Sequence, residues 1–257
     1  MTLQLFGTAT HCIGFGDESD RSVVRLKAIQ SQPNETPSDF ALARTPEEFD
    51  LARNAKWKAV FFVGDEGERL LHAESDTRII SVGTRFGYLA DGDIIGIRHA
   101  SKRFRTLFRR NSKHNSFLVT ERCNNYCLMC SQPPKDVDDG WILDEIRESV
   151  PLVDPATRSL TFTGGEPLTD WRGFIIVLAN CRDLLPRTAL QVLTNGRAFS
   201  HSEIVDEWSS VRHPNLIAAI PVYSAVDHVH DHVVQAKGAF DETILGILKI
   251  ERSGTAC

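Results

Sequence analysis

No stretch of this chain is long and apolar enough to span a bilayer, runs such as Phe174 to Ala179 being far too short. The N-terminus also lacks the basic segment followed by a long apolar run that marks a secretory signal. The expectation is therefore a cytoplasmic protein with no membrane partner. Basic charge is lacking too: 29 Lys and Arg against 34 Asp and Glu leave a net charge of −5, which gives no support to general nucleic-acid affinity. Cysteine is too scarce for a disulfide scaffold, with six in 257 residues and three of those between positions 123 and 130. After Cys130 no cysteine follows until Cys181, so the fourth protein ligand that zinc sites and ferredoxins generally bring is not at hand.

What is present is Cys123-Asn124-Asn125-Tyr126-Cys127-Leu128-Met129-Cys130, a C-x3-C-x2-C triplet directly after the strand-like run Ser116 to Thr120. Three thiolates on one short loop can each bind one iron of a [4Fe–4S] cube and leave the fourth iron without a protein ligand. An open iron binds a substrate or cofactor directly, so this reads as a reactive centre rather than an electron carrier. A zinc knuckle taking His114 as fourth ligand is the bland alternative, and it is disfavoured because zinc signatures use paired C-x2-4-C units. Downstream, Gly164 and Gly165 end a strand-like run without side chains, where backbone can approach a ligand closely. Glu166 then offers a carboxylate beside them.

These residues resemble the radical S-adenosylmethionine (SAM) enzymes, whose signature is this cysteine spacing. Thr163-Gly164-Gly165-Glu166-Pro167 is similar to that family's GGE motif after the second barrel strand, Thr194-Asn195-Gly196 to the turn after the third, and Tyr223-Ser224 sits where the fourth strand ends. More narrowly, Ser112 to Cys130, and His230-Asp231 leading into Gly238-Ala239-Phe240, resemble the radical SAM maturases of the His-Xaa-Ser peptide-modification system. The resemblance implies a [4Fe–4S] cluster on Cys123, Cys127 and Cys130, with SAM chelating the open iron. Reductive cleavage of SAM to a 5′-deoxyadenosyl radical would then modify a ribosomally made peptide or protein. It implies that Glu166, beside Gly164 and Gly165, holds the SAM amino group, a carboxylate suiting a cation, and that Ser224 hydrogen-bonds a SAM oxygen. Met129 stands where family members usually carry an aromatic against the adenine, and a polarizable thioether also packs on a ring. An external electron donor and a partner maturase are implied as well; no catalytic side chain is assigned.

Two regions are expected. Residues 1–112 read as a small β-rich domain ending in a basic linker, from the short apolar runs Val23 to Ile29, Ala59 to Val63, Arg78 to Val82 and Ile94 to Arg98. Thr45 to Asn54 reads as a helix with Thr45 as cap and Pro46 at its first position. Seven Lys or Arg and no acid lie between Arg98 and Lys113, interleaved with Phe104, Leu107 and Phe108. They read as an amphipathic linker with a solvated basic face or, alternatively, as a docking surface for an acidic leader segment of a peptide.

From 113 to 257 strand and helix signals alternate: strands at Phe117 to Thr120, Ser159 to Thr163, Leu190 to Thr194 and Leu216 to Val222, helices at Trp141 to Val150, Trp171 to Leu185, His201 to Ser209 and Phe240 to Ser253. Such alternation specifies an α/β fold with parallel strands, and the resemblance makes it a partial (β/α) barrel of radical SAM type. In barrels of this kind the chemistry sits at the C-terminal strand ends, where all the matched motifs fall. Four units are legible against six in most family members, so the expectation is a barrel truncated after about four, with the fourth strand an open edge.

The remaining candidates are weaker. Cys12, Cys181 and Cys257 are scattered and read as small hydrophobes, and His11 beside Cys12 lacks further ligands. His228 and His232, at i and i+4 among Asp227, His230 and Asp231, would share a helix face, but a metal there would need more ligands. His230 and Asp231 are kept as groups near the substrate. Other readings are a radical SAM enzyme on another substrate, since barrel motifs fix the cofactor and leave the substrate open, and a truncated, catalytically silent peptide-binding module.

Overall fold

The computed structural model describes residues 5–15, 20–33, 35–65 and 77–254. Cys257 lies outside them. The chain divides into two compact units, 1–112 with 152–154, and 113–151 with 155–257.

The first unit is an eight-stranded mixed sheet in the order β1-β8-β7-β3-β4-β5-β6-β2. The strands are β1 Phe6–Thr8, β2 His11–Ile13, β3 Arg21–Lys27, β4 Asp39–Ala43, β5 Ala59–Val63, β6 Arg78–Val82, β7 Ile94–Arg98 and β8 Arg103–Phe108. β1 and β2 stand at opposite ends of that order yet are joined only by Ala9 and Thr10, whose N–H groups donate to Lys102 and Ser81. One short segment therefore spans both ends of the sheet, β1 pairing with β8 and β2 with β6. Phe40, Leu42, Phe61, Val63, Ile80, Val82 and Phe104 share one buried cluster. The alternate residues Ala41, Ala43, Val60, Phe62 and Ile79 pack with Phe49, Ala52 and Trp57 in a second cluster, so β4 and β5 are buried on both faces.

Helix α1, Pro46–Asn54, supplies Phe49 and Ala52, and it starts where the sequence indicates: Thr45 Oγ1 accepts from Glu48 N at 3.2 Å and Pro46 follows. The basic linker is corrected. Within 98–113 the stretch Arg103–Phe108 is strand β8, paired with β1 and β7. The alternation that resembled an amphipathic linker has period 2, with Phe104 and Phe108 buried.

The second unit holds a four-stranded parallel sheet in the order β12-β11-β10-β9. Its elements run β9 Ser116–Leu118, α2 Trp141–Ser149, β10 Ser159–Thr163, α3 Trp171–Leu184, β11 Ala189–Leu193, α4 Ser202–Ser210, β12 Leu216–Ala219, α5 Asp227–Val234 and α6 Ala239–Arg252. This is the parallel strand–helix alternation expected of a radical SAM-type partial barrel. On one face Phe117, Phe162, Val192 and Ala218 are buried. The Phe162 ring stacks on Phe117 at 5.9 Å and meets Phe174 of α3 edge-on at 5.3 Å. On the other face Leu193 and Ile217 are exposed. Strand four is shorter than the sequence suggested, because Pro221 has no N–H to continue a ladder to Val222. Helix α5 was not expected as an element. Among the described residues no helix is long and apolar enough to cross a membrane.

Candidate functional site

The C-terminal ends of the four parallel strands surround a cavity of about 490 Å³. Cys123, Cys127 and Cys130 line it from the loop after β9, Thr163, Gly164 and Gly165 from the end of β10, Leu193, Thr194 and Asn195 from the end of β11, and Ala219 to Pro221 with Tyr223 from the end of β12. Three thiols and a side-chain-free wall thus face one space, at the position where parallel barrels place chemistry.

The cysteine loop is held on several sides. Its approach is fixed by Asp139, a buried carboxylate that accepts from Thr120 Oγ1 at 2.8 Å, Glu121 N at 2.6 Å and Arg122 Nε at 3.0 Å. The loop's own Tyr126 and Leu128 N–H groups donate to the Val234 and Val233 carbonyls at 3.0 Å each, which satisfies acceptors that the end of α5 leaves open. Gly165 N donates to Thr120 O and Glu166 N to Arg122 O, both at 2.8 Å, so β10 is zipped onto the start of the loop. The glycines make this possible. A Cβ on Gly165 would lie inside 3.0 Å of the Arg122 carbonyl oxygen, and Gly164 has φ +151° with the Thr120 carbonyl equally close. The close approach inferred for a ligand is first of all an approach of the chain to itself.

Burial pushes the Cys123 and Cys127 thiols up, opposed by N–H donors. Asn125 N donates to Cys123 Sγ at 3.4 Å. Cys130 Sγ donates to the Gln132 carbonyl at 3.0 Å. Iron is bound by the thiolate, and metal charge reverses the effect of burial. Among the described residues no three His, Cys, Asp or Glu side chains converge on a point where one ion would sit. The three thiols instead border a cavity, an arrangement that fits a cube in which each thiolate meets its own iron.

Of the residues singled out in the sequence, Cys123, Cys127, Cys130, Gly164 and Gly165 meet at this cavity, whereas Glu166, Ser224 and Met129 do not line it. Glu166 is 2% exposed. Its Oε1 accepts from Leu168 N at 3.0 Å and Thr194 Oγ1 at 2.7 Å, and its Oε2 from Asn195 N at 2.7 Å. Burial pushes its carboxyl up against those donors. It is therefore a brace behind the wall, holding Thr194 and Asn195, which do face the cavity. Glu166→Ala is expected to leave two buried donors and the half-buried Asn195 N–H without their acceptor and, at about 1 kcal/mol each, to lower unfolding free energy by about 3 kcal/mol. Urea denaturation measures this, and an unchanged midpoint would show that the brace carries no weight.

Ser224 Oγ accepts from Val226 N at 3.0 Å, a turn bond at the entry to α5. Met129 is half exposed beside Tyr126 and Leu128, which are more so. His230 is buried behind Tyr223, taking the Tyr223 N–H on Nδ1 at 3.3 Å. Asp231 caps the next helix through Gly238 N and Phe240 N. His228 and His232 do lie on one helix but are exposed, and His228 pairs with Asp227. Burial pushes Cys12 to about 11 and Cys181 to about 12, so neither thiol is reactive. Sequence reasoning missed Asp139 and gave Thr194 no role; the only available signal was an acid beside a glycine ahead of a helix.

The family model described as Radical SAM superfamily matches residues 117–256, more than half of the chain. No curated protein matches it.

Proposed function

The chain belongs to the radical SAM superfamily, a membership that implies an enzyme using a [4Fe–4S] cluster and SAM, and from it we propose a maturase that modifies a ribosomally made peptide of the His-Xaa-Ser type. The observation that carries the chemistry is the single cavity bordered by Cys123, Cys127 and Cys130 on one side and by Gly164, Gly165, Thr194 and Asn195 on the other. The residues fit the group: three soft sulfur donors, with no further Cys or His lining the cavity among the described residues, next to the side-chain-free Gly164 and Gly165. When bound, the cluster and SAM supply a one-electron cleavage that yields a 5′-deoxyadenosyl radical for hydrogen abstraction.

The protein's own part is to hold and to exclude. Cys123, Cys127 and Cys130 would ligate iron as thiolates. The backbone of Gly164 and Gly165, with the side chains of Thr194 and Asn195, would bind the polar methionyl end of SAM, and Glu166 would act on SAM through the two residues it braces. Leu193, Ile220, Pro221 and Tyr223 add an apolar lining to the cavity, and a bound substrate covering the exposed Leu193 and Tyr223 would complete the exclusion of water from a reactive species. Support for a peptide substrate comes from the resemblance at Ser112 to Cys130 and at His230-Asp231. The exposed apolar side chains Tyr126, Leu128, Val222, Tyr223 and Val226 near the cavity also suit a chain rather than a small ion.

Co-expression with a short peptide carrying His-Xaa-Ser repeats, followed by mass spectrometry, is expected to show a mass change that needs the cysteine triplet. An unmodified peptide, from a protein that still forms 5′-deoxyadenosine when reduced, would remove the peptide reading and keep the radical SAM reading. An electron donor and a partner maturase are supplied in the same expression test by including or omitting the candidate genes.

A further inference from the structure

The turn after β11 does more than line the cavity. Arg197 reaches from it to the cysteine loop, where Nη1 donates to the Asn124 carbonyl at 2.7 Å and to Asn125 Oδ1 at 2.6 Å, while Nε is anchored on Glu242 of α6 at 2.6 Å. Asn195 Nδ2 adds a bond to Asn124 Oδ1 at 2.6 Å. The turn is itself bolted to α6: Thr243 Oγ1 donates to the Asn195 carbonyl at 3.1 Å, and Gly246 lets the helix come so near that a Cβ would collide with the Gly196 carbonyl.

Asn125 is the pivot. It is 3% exposed, its backbone N–H points at Cys123 Sγ, and Arg197 Nη1 holds both its side-chain oxygen and the Asn124 carbonyl, which belongs to the same peptide group as that N–H. A planar peptide group whose oxygen is fixed by a guanidinium cannot turn, so its N–H stays aimed at sulfur.

We propose that Arg197 is a positioning residue that sets the reduction potential of the cluster, by locking the Asn124–Asn125 peptide group so that its N–H donates to the Cys123 sulfur. The proposal rests on the cluster reading above. Donation to ligand sulfur stabilises the added negative charge of the reduced cluster and raises its potential. Losing the lock therefore makes the cluster harder to reduce. Arg197 does not line the cavity, so it acts through Asn125 and not on SAM.

The test is a redox titration of the anaerobically reconstituted full chain followed by electron paramagnetic resonance, with iron content measured in parallel. Arg197→Gln is expected to lower the equilibrium constant for reduction about tenfold, a fall of about 59 mV for a one-electron couple. Arg197→Lys keeps the charge but not the planar fork that sets Nη1 on the two asparagines while Nε stays on Glu242, and it is expected to fall likewise. Should Arg197→Gln fail to load iron, Arg197→Lys decides alone. A potential unchanged from wild type in Arg197→Lys at full iron content overturns the proposal, whether charge alone or nothing at this position sets the potential. A wild-type protein that takes up no cluster overturns the cluster reading instead, and the two failures are distinguished by the iron assay.

Discussion

An iron content near zero is expected when Cys123, Cys127 or Cys130 is replaced by alanine, against about four irons per chain for the wild type reconstituted without oxygen. Each sulfur comes from a different position on one loop and faces the same cavity, so each would be the protein ligand of its own iron, and no other Cys or His among the described residues lines the cavity to replace it. Desolvation pushes the Cys12 thiol up to about 11 and that of the fully buried Cys181 up to about 12, so neither rescues the site. The brown colour and the formation of 5′-deoxyadenosine from SAM should both fall to background. Cys181→Ala, which changes a buried side chain but no ligand, should keep full iron and serves as the control. Retention of four irons in all three single variants would sink the ligand assignment.

That outcome was legible from the chain because the triplet is local: spacing alone brings the three sulfurs onto one loop. The alternation of strands and helices from 113 onward was legible for the same reason, each element carrying its own periodicity and its own stop, as Pro186 does for α3. What lay beyond the sequence was the partner of each polar group. Glu166 follows two glycines and reads as a group offered to a ligand, yet the chain folds so that Thr194 and Asn195, 28 and 29 residues on, take its oxygens. Asp139 shows the converse. An acid beside a glycine ahead of a helix is all that marks it in the sequence, and only the fold brings it to Thr120 and Arg122, 19 and 17 residues back. In the first unit, strands β1, β2 and β4 escaped notice because two are three residues long and the third, Asp39–Ala43, opens on an acid and carries two alanines, which are poor strand formers.

The steric role of Gly165 gives the second large effect. In Gly165→Val the new Cβ would sit inside 3.0 Å of both the carbonyl oxygen and carbon of Arg122, and 3.1 Å from Cys123 Cβ. Two of these are backbone atoms that cannot turn aside, so the strand must separate from the loop. Separation breaks the bonds from Gly165 N to Thr120 O and from Glu166 N to Arg122 O. Losing both at about 1 kcal/mol each, with overpacking of about 1–3 kcal/mol, predicts a destabilisation of about 3–5 kcal/mol. The same movement shifts Cys123 relative to the strand end. A displacement of about 1 Å in a reacting geometry costs about a hundredfold in rate, so 5′-deoxyadenosine formation should fall by at least that much even where the cluster is retained. Gly140→Ala is the matched control, since its nearest neighbour is the Asp138 side chain at 3.8 Å, and it should melt and turn over as the wild type does. If Gly165→Val unfolds at the wild-type denaturant concentration and forms 5′-deoxyadenosine at the wild-type rate, the zipped junction between β10 and the cysteine loop is not what positions the cluster.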